Sequence, residues 1–105
     1  MIRIWDLPEG TERFRLRGHT DTIWALAASP DPSRPFLLSC SHDRTARLWD
    51  YRRGVLVATF TADRSLRRAG ISPDARTFVA GQGAAGPLHL LRLAGVGETA
   101  GNNPI

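Results

Sequence analysis

The apolar residues of this chain fall in short runs separated by turn residues, without the sustained periodicity and caps of a helix. "TERFRLRG" alternates polar and apolar residues, as a strand with one exposed face does. "TIWALAAS" and "FLLSCS" are nearly continuous apolar runs, which predicts strands covered on both faces. Three prolines in the intervening "SPDPSRP" prevent ladder pairing, so this segment is predicted to be a loop. The pattern therefore predicts an all-β chain.

The middle of the chain is predicted to form one unit of four strands. We place these strands at about residues 22–28, 36–41, 45–50 and 55–61, and the turn "YRRG" separates the last two. Two earlier strands precede this unit. A further unit begins near Leu66 and runs through "TFVAGQ" and "LHLLRL". We therefore expect one whole unit flanked by two partial ones.

The chain also repeats itself. "RIWD" at 3–6 returns as "RLWD" at 47–50, and "SPD" at 29–31 returns at 72–74. Gly10 and Gly54 share the same spacing of about 44 residues, and a period of this size is typical of repeat architectures.

Several short motifs of the chain resemble those of a known repeat family. Gly18-His19, the first "SPD", Asp43 and Trp49-Asp50 follow one another as they do in the WD-repeat family, whose units are blades of a β-propeller. The resemblance covers about residues 1–93 and implies an incomplete β-propeller of four-stranded antiparallel blades. The last unit also resembles the closing blade of propellers attached to bacterial multidomain signalling NTPases.

The resemblance divides the chain into four segments. Residues 1–17 are expected to be the last two strands of a preceding blade, and residues 18–62 a complete WD-repeat blade. Residues 63–93 are expected to be a degenerate closing blade that lacks its fourth strand. The remainder, residues 94–105, is rich in Gly, Asn and Thr and is predicted to be disordered.

The resemblance further implies a buried hydrogen-bond network within the complete blade, and its positions hold His19, Ser39, Asp43 and Trp49. The side-chain chemistry suits a relay, because an indole only donates and an ionised carboxylate only accepts. A hydroxyl and a neutral imidazole each do both, so they can join the other two. Such a network stabilises a blade when it is complete.

The same stretch, "LLSCSHDRTARLWD", contains a serine, a histidine and an aspartate, the residue types of a hydrolase triad. Ser39 lies inside an apolar strand, however, and the chain has no "GxSxG" elbow. Cys40, His42 and His19 do not follow the spacing of a zinc site. We therefore expect a non-catalytic protein without a metal or cofactor.

The last unit departs from the family pattern. Asp63 stands at the histidine position, while Ala80, Ala84 and Leu91 stand where Ser39, Asp43 and Trp49 would recur. Without the network, this blade is expected to depend on the apolar packing of its own residues. These are Leu66, Ile71, Phe78, Val79, Leu90 and Leu91.

Partner contacts in the family lie on the rim formed by the start of the first strand and the second hairpin. The corresponding residues are Thr22, Trp24 and His42, with Arg67 as the equivalent anchor of the last unit. Trp24 is the strongest of these, because tryptophan is enriched among binding hot spots. The sequence leaves open the alternative that Trp24 packs between blades instead.

Composition narrows the function classes. All 14 basic residues are arginines and the net charge is +4, which raises the alternative of an arginine-mediated binder of nucleic acid or another anionic ligand. The arginines are scattered rather than clustered, and this disfavours nucleic acid. A single cysteine and the lack of a long apolar run favour a cytoplasmic location without a membrane segment.

A propeller needs typically about four to eight blades to close, so fewer than three leave strand edges open. We expect a C-terminal remnant of a larger cytoplasmic regulatory or signalling protein. Its expected role is a protein-interaction or sensor module. Its partners would be other proteins or the missing blades of its own propeller, and association through the open edges is a further expectation.

Overall fold

The computed structural model describes residues 1–83 and 86–93, so the predictions for Ala84 and for residues 94–105 lie outside the described residues. Nine strands follow one another within that part. They are β1 (Ile2–Asp6), β2 (Thr11–Leu16), β3 (Ile23–Ala28), β4 (Phe36–Ser41), β5 (Thr45–Asp50), β6 (Val55–Thr61), β7 (Arg68–Ile71), β8 (Thr77–Gly81) and β9 (Leu88–Arg92). The described residues contain no helix long and apolar enough to cross a membrane.

The strands form three antiparallel sheets in chain order. The first contains β1 and β2, the second β3, β4, β5 and β6, and the third β7, β8 and β9. The predicted ranges of the last three strands of the middle sheet agree with the structure, and β3 begins one residue later than expected. The all-β prediction is thereby confirmed.

Strand β4 lies at the centre of the stack, and all six of its residues are buried. Phe36 and Leu38 belong to an apolar layer shared with Phe78 of the third sheet, and the Phe36 and Phe78 rings meet edge to face at 5.9 Å. Leu37 belongs instead to the layer that contains Ile2 of the first sheet. The alternate side chains of β4 thus join the middle sheet to both of its neighbours.

Strand β3 differs from the sequence-based expectation. Trp24 and Leu26 are 46% and 52% exposed, so the prediction that both faces of "TIWALAAS" are covered is wrong. The physical reason is that β3 packs against β7 of the third sheet with alternate side chains, while Trp24 and Leu26 point to the other side. One face of β3 is therefore left free, which an apolar run alone does not reveal.

The repeated "SPD" tripeptide shapes two equivalent loops. Asp31 accepts hydrogen bonds from the backbone N–H and the hydroxyl of Ser33, at 2.9 and 2.8 Å. Asp74 accepts from the Ser72 hydroxyl at 2.6 Å and from the Arg76 backbone N–H at 3.1 Å. Each aspartate thus holds the loop that precedes the second strand of its hairpin.

Two glycines are required by close approaches. A Cβ on Gly18 would lie 2.9 Å from the Arg47 guanidinium and 3.3 Å from the Trp49 ring. A Cβ on Gly54, whose φ is +72°, would lie 2.5 Å from the Phe14 ring. The first contact explains the glycine of the Gly-His pair, and the second brings the β5–β6 turn onto the first sheet.

Arg44 provides a test of the β4–β5 hairpin, because its φ of 73° lies in the left-handed region that disfavours residues with a Cβ. Arg44→Gly is expected to raise the unfolding free energy by about 1 kcal/mol. Urea denaturation followed by tryptophan fluorescence measures the change. Arg52→Gly in the β5–β6 turn is the matched control and should not stabilise the chain; equal effects of the two changes would contradict this account.

Candidate functional site

The carboxylate of Asp43 is the centre of a polar cluster at the β4–β5 hairpin. One of its oxygens accepts from the Thr45 hydroxyl at 2.6 Å and the Thr45 backbone N–H at 2.9 Å. The other accepts from the Thr20 backbone N–H at 3.0 Å and lies 2.9 Å from His19 Nδ1. The carboxylate is 7% exposed, and four hydrogen bonds replace the water that it loses.

His19 links this hairpin to the interior of β4. Its side chain is 1% exposed, and its Nε2 lies 2.6 Å from Ser39 Oγ. Because the ionised carboxylate of Asp43 only accepts, His19 Nδ1 must donate and Nε2 must accept from the Ser39 hydroxyl. Trp49 Nε1 donates to the same Ser39 Oγ at 2.9 Å. The structure thus brings together His19, Ser39, Asp43 and Trp49.

The surroundings shift the acidity of both ionisable members. Burial lowers the pKa of His19, and the hydrogen bond and charge of Asp43 only partly oppose this effect. Burial would raise the pKa of Asp43, but hydrogen bonds from Thr45, Thr20 and His19 bring that pKa far below its ordinary value. A neutral imidazole beside an ionised carboxylate is therefore the stable state near neutral pH.

Ser39, His19 and Asp43 are hydrogen-bonded in the same order as the residues of a serine–histidine–aspartate triad. The serine, however, is not accessible to a substrate. Ser39 is fully buried, and its Oγ already accepts from Trp49. A substrate carbonyl could not reach that oxygen without opening the sheet. Cys40 is also fully buried; its thiol donates to the Arg68 carbonyl, and burial raises its pKa to about 12. The arrangement can hold strands together, and it presents no accessible nucleophile at these two positions.

Sequence reasoning missed two contributors to the cluster, Thr45 and the backbone of Thr20. A signal for Thr45 was present, since an aspartate two residues before a threonine in a turn commonly bonds to it. The Thr20 contact had no sequence signal, because it depends on how the loop before β3 lies over the hairpin.

The third sheet has a polar cluster of its own, which corrects the expectation that its packing is purely apolar. The amide of Gln82 donates to Asp63 at 2.8 Å and lies 3.2 Å from His89 Nε2. The His89 ring also packs on Phe60 with centroids 5.0 Å apart. Asp63 occupies the position expected of a histidine, and a different set of partners surrounds it.

The apolar packing expected of this sheet is found for some residues only. Leu66 and Phe78 are almost fully buried, and Ile71 and Leu91 pack against the same layer. Leu90 is 71% exposed, so the prediction that it belongs to the core is wrong. The reason is alternation along β9: Leu91 faces the middle sheet, and Leu90 points away from it.

The four residues predicted to contact a partner all lie at one end of the sheets and are exposed. Trp24 Nε1 donates to His42 Nδ1 over a long 3.5 Å, and the two rings meet edge to face at 6.2 Å. The Arg67 guanidinium lies 4.7 Å above the Trp24 ring. Thr22 stands next to them, with its backbone N–H bonded to Asp21. Trp24 is therefore both exposed and in contact with the neighbouring sheet.

Comparison with known proteins agrees with this architecture. Residues 10–50 match the family model described as "WD domain, G-beta repeat". The chain is 47% identical to Coronin-7 of Rattus norvegicus over 55 residues, which are 52% of this chain and 6% of that protein. It is 33% identical to Autophagy-related protein 16 of Arabidopsis thaliana over 78 residues, which are 74% of this chain and 15% of that protein.

A third relative is a probable cytosolic iron-sulfur protein assembly protein 1 of Yarrowia lipolytica, 42% identical over 61 residues, covering 56% of this chain and 18% of that protein. The chain thus spans less than a fifth of the length of each of these relatives. The chain belongs to the WD-repeat family, and its sheets are blades, whole and partial, of a β-propeller.

Removal of a network member should destabilise the fold. Ser39→Ala leaves the Trp49 N–H without an acceptor, and His19→Ala leaves Ser39 and Asp43 each short of a partner. Each change is expected to cost about 1–3 kcal/mol of unfolding free energy, measured by urea denaturation. Thr59→Ala on the exposed face of β6 is the control, with a small effect. A Ser39→Ala variant as stable as the parent would contradict the role of the network.

The cluster also predicts a pH dependence. The pKa values of His19 and Asp43 are both lowered by folding, so the unfolded chain binds more protons than the folded chain below each ordinary pKa. Stability is therefore expected to fall as the pH drops below about 6.5, and again below about 4. Urea titrations at a series of pH values measure this. In His19→Gln the first decrease should flatten; an unchanged profile would exclude His19 as its source.

Proposed function

We propose that this chain is a protein-interaction module whose partner contacts the exposed rim formed by Thr22, Trp24, His42 and Arg67. The observation that carries the proposal is the convergence of an exposed tryptophan, a histidine and an arginine from two adjacent sheets. Large, rigid aromatic and arginine side chains are those that most often dominate binding energy at protein interfaces. WD-repeat relatives are built on the same scaffold, which supports the same class of role.

We propose a non-catalytic role for the buried cluster. Asp43, His19, Ser39 and Trp49 connect the loop before β3, strand β4 and strand β5, and so hold the rim residues Thr22 and His42 in place. His42 immediately precedes Asp43, and its backbone N–H donates to the Thr22 carbonyl at 2.8 Å. The network would thus support binding by positioning the rim rather than by chemistry of its own.

The open strand edges suggest a second contact with protein. Among the described strands, β9 is paired on one side only, with β8, and a cleft of about 230 Å³ lies between it and β5–β6. Its lining includes Leu48, Phe60, Phe78 and Leu91. Further propeller strands, from the same polypeptide or from another protein, would cover this edge. A regulatory role in the cytoplasm fits this view, since the name of the Yarrowia relative describes that protein as cytosolic.

The ion pairs on the surface weaken the alternative that the partner is a nucleic acid or another anionic ligand. Four of the arginines lie within 4.0 Å of a carboxylate: Arg3 and Arg15 near Glu12, Arg13 near Asp6 and Arg53 near Asp50. These pairs offset part of the positive charge of the surface. We therefore favour a protein over a nucleic acid as the partner.

The rim can be tested by site-specific photo-crosslinking. A benzoylphenylalanine at Thr22 is expected to form a defined adduct with a partner in cells, whereas the same group at Arg53, at the opposite end of the middle sheet, is not. Trp24→Ala should remove the adduct without unfolding the chain, because Trp24 is largely exposed. Circular dichroism checks the fold. An adduct that survives Trp24→Ala unchanged would contradict the proposed rim, and steep loss with salt would favour the anionic alternative.

A further inference from the structure

We propose that the rim binds an acidic peptide. Arg67 would donate hydrogen bonds to a carboxylate of the peptide, and the Trp24 ring would hold the Arg67 guanidinium in place by stacking. This inference rests on the proposed function, because it names the partner chemistry of the same surface. It is carried by the geometry of Arg67 relative to Trp24, His42 and the nearby carboxylates.

The Arg67 side chain is restricted although it is exposed. Its guanidinium lies over the Trp24 ring at 4.7 Å, and a Cβ placed on Gly83 would lie 4.0 Å from its Cδ. Stacking of a guanidinium on an aromatic face leaves the N–H groups at its edge free to donate. The arginine is thus already placed on the rim, so less side-chain entropy is lost when a ligand binds.

No carboxylate in the described part of the chain lies within ion-pairing distance of Arg67. Two acidic groups on neighbouring segments already have other partners. Asp21 accepts from the Thr22 backbone N–H at 2.7 Å, and the Asp43 carboxylate is buried in its own four hydrogen bonds. The charge of Arg67 is therefore available to an external anion.

His42 adds a second donor that, like Arg67, contacts Trp24. Its Nδ1 accepts the long hydrogen bond from Trp24, so in the neutral ring Nε2 carries the proton. The ring is exposed, and its edge meets Trp24 at the same end of the sheet. A planar guanidinium and an imidazole N–H around one indole suit a carboxylate, which accepts through two oxygens.

The size of the site favours a peptide over a nucleic acid. Nucleic-acid affinity comes largely from neutralising several phosphates along a backbone. Here one of the four rim residues is an arginine, while Arg3, Arg13 and Arg15 are paired with acids on the first sheet. One or two carboxylate side chains of a peptide are enough to pair with the single charge of Arg67.

The test measures fluorescence anisotropy of a labelled ten-residue peptide of alternating Glu and Gly, titrated with the complete 105-residue chain at about 0.1 M salt. Matched Gln-Gly and Lys-Gly peptides, and a ten-nucleotide oligothymidylate, are measured alongside. We expect the Glu-Gly peptide to bind more tightly than the other three. Arg67→Gln should weaken its binding by about tenfold or more, and Arg67→Lys by less, because lysine keeps the charge but not the planar donor.

Arg53→Gln is the matched control, since Arg53 is also exposed but lies in the β5–β6 turn at the other end of the sheet. It should leave the affinity unchanged, and circular dichroism should show that both glutamine variants remain folded. Equal losses in the two variants would mean diffuse charge attraction and would overturn the inference. Tighter binding of the oligothymidylate that depends on Arg67 would assign a nucleic acid instead and would also overturn it.

Failure of this inference can be told apart from failure of the proposed rim. If the Gln-Gly or Lys-Gly peptide binds in a manner sensitive to Trp24→Ala while the Glu-Gly peptide does not, the rim stands and the acidic ligand is wrong. Absence of binding by every peptide overturns the acidic ligand as well, and leaves the crosslink at Thr22 to decide the rim. If the crosslink survives Trp24→Ala, the rim itself is wrong.

Discussion

An ionised carboxylate held almost out of water must find its hydrogen bonds within the protein, and Asp43 finds four of them. Two of these bonds come from the loop before β3, at His19 and Thr20, and the other two come from Thr45, the first residue of β5. His19 in turn needs a donor for its Nε2, which Ser39 provides, and the Ser39 oxygen accepts the indole N–H of Trp49. The order of the β3–β6 sheet at its rim end therefore follows from the cost of burying one charge.

The apolar layers place the sheets around this polar centre. Strand β4 contributes residues to both layers, and the edge-to-face contact of Phe36 with Phe78 joins the middle sheet to the third. Trp49 takes part in the layer with the first sheet and donates its indole N–H to Ser39. Packing and hydrogen bonding thus share a residue, so neither the rim nor the stack is independent of the other.

Local pattern predicted most of the strands, because apolar runs, prolines and glycines act within a few residues of one another. Burial was harder to predict, as Trp24, Leu26 and Leu90 show, since it depends on which sheet lies opposite. Thr45 could have been found from its spacing to Asp43. The Gln82 contact with Asp63 and the stacking of Arg67 on Trp24 join separate segments of the chain, and only the folded arrangement brings them together.

The polar clusters around Asp43 and Gln82 differ in how accessible they are to water. This difference bears on which sheet opens more easily by local unfolding. The cluster at Asp43 is enclosed by side chains, whereas the Gln82 cluster has exposed members and includes no buried hydroxyl relay. Regions with few protected hydrogen bonds open at lower free energy than regions with many. The β7–β9 sheet is therefore expected to open locally at lower free energy than the β3–β6 sheet, and Arg67, which precedes β7, rests against Trp24 of the β3–β6 sheet.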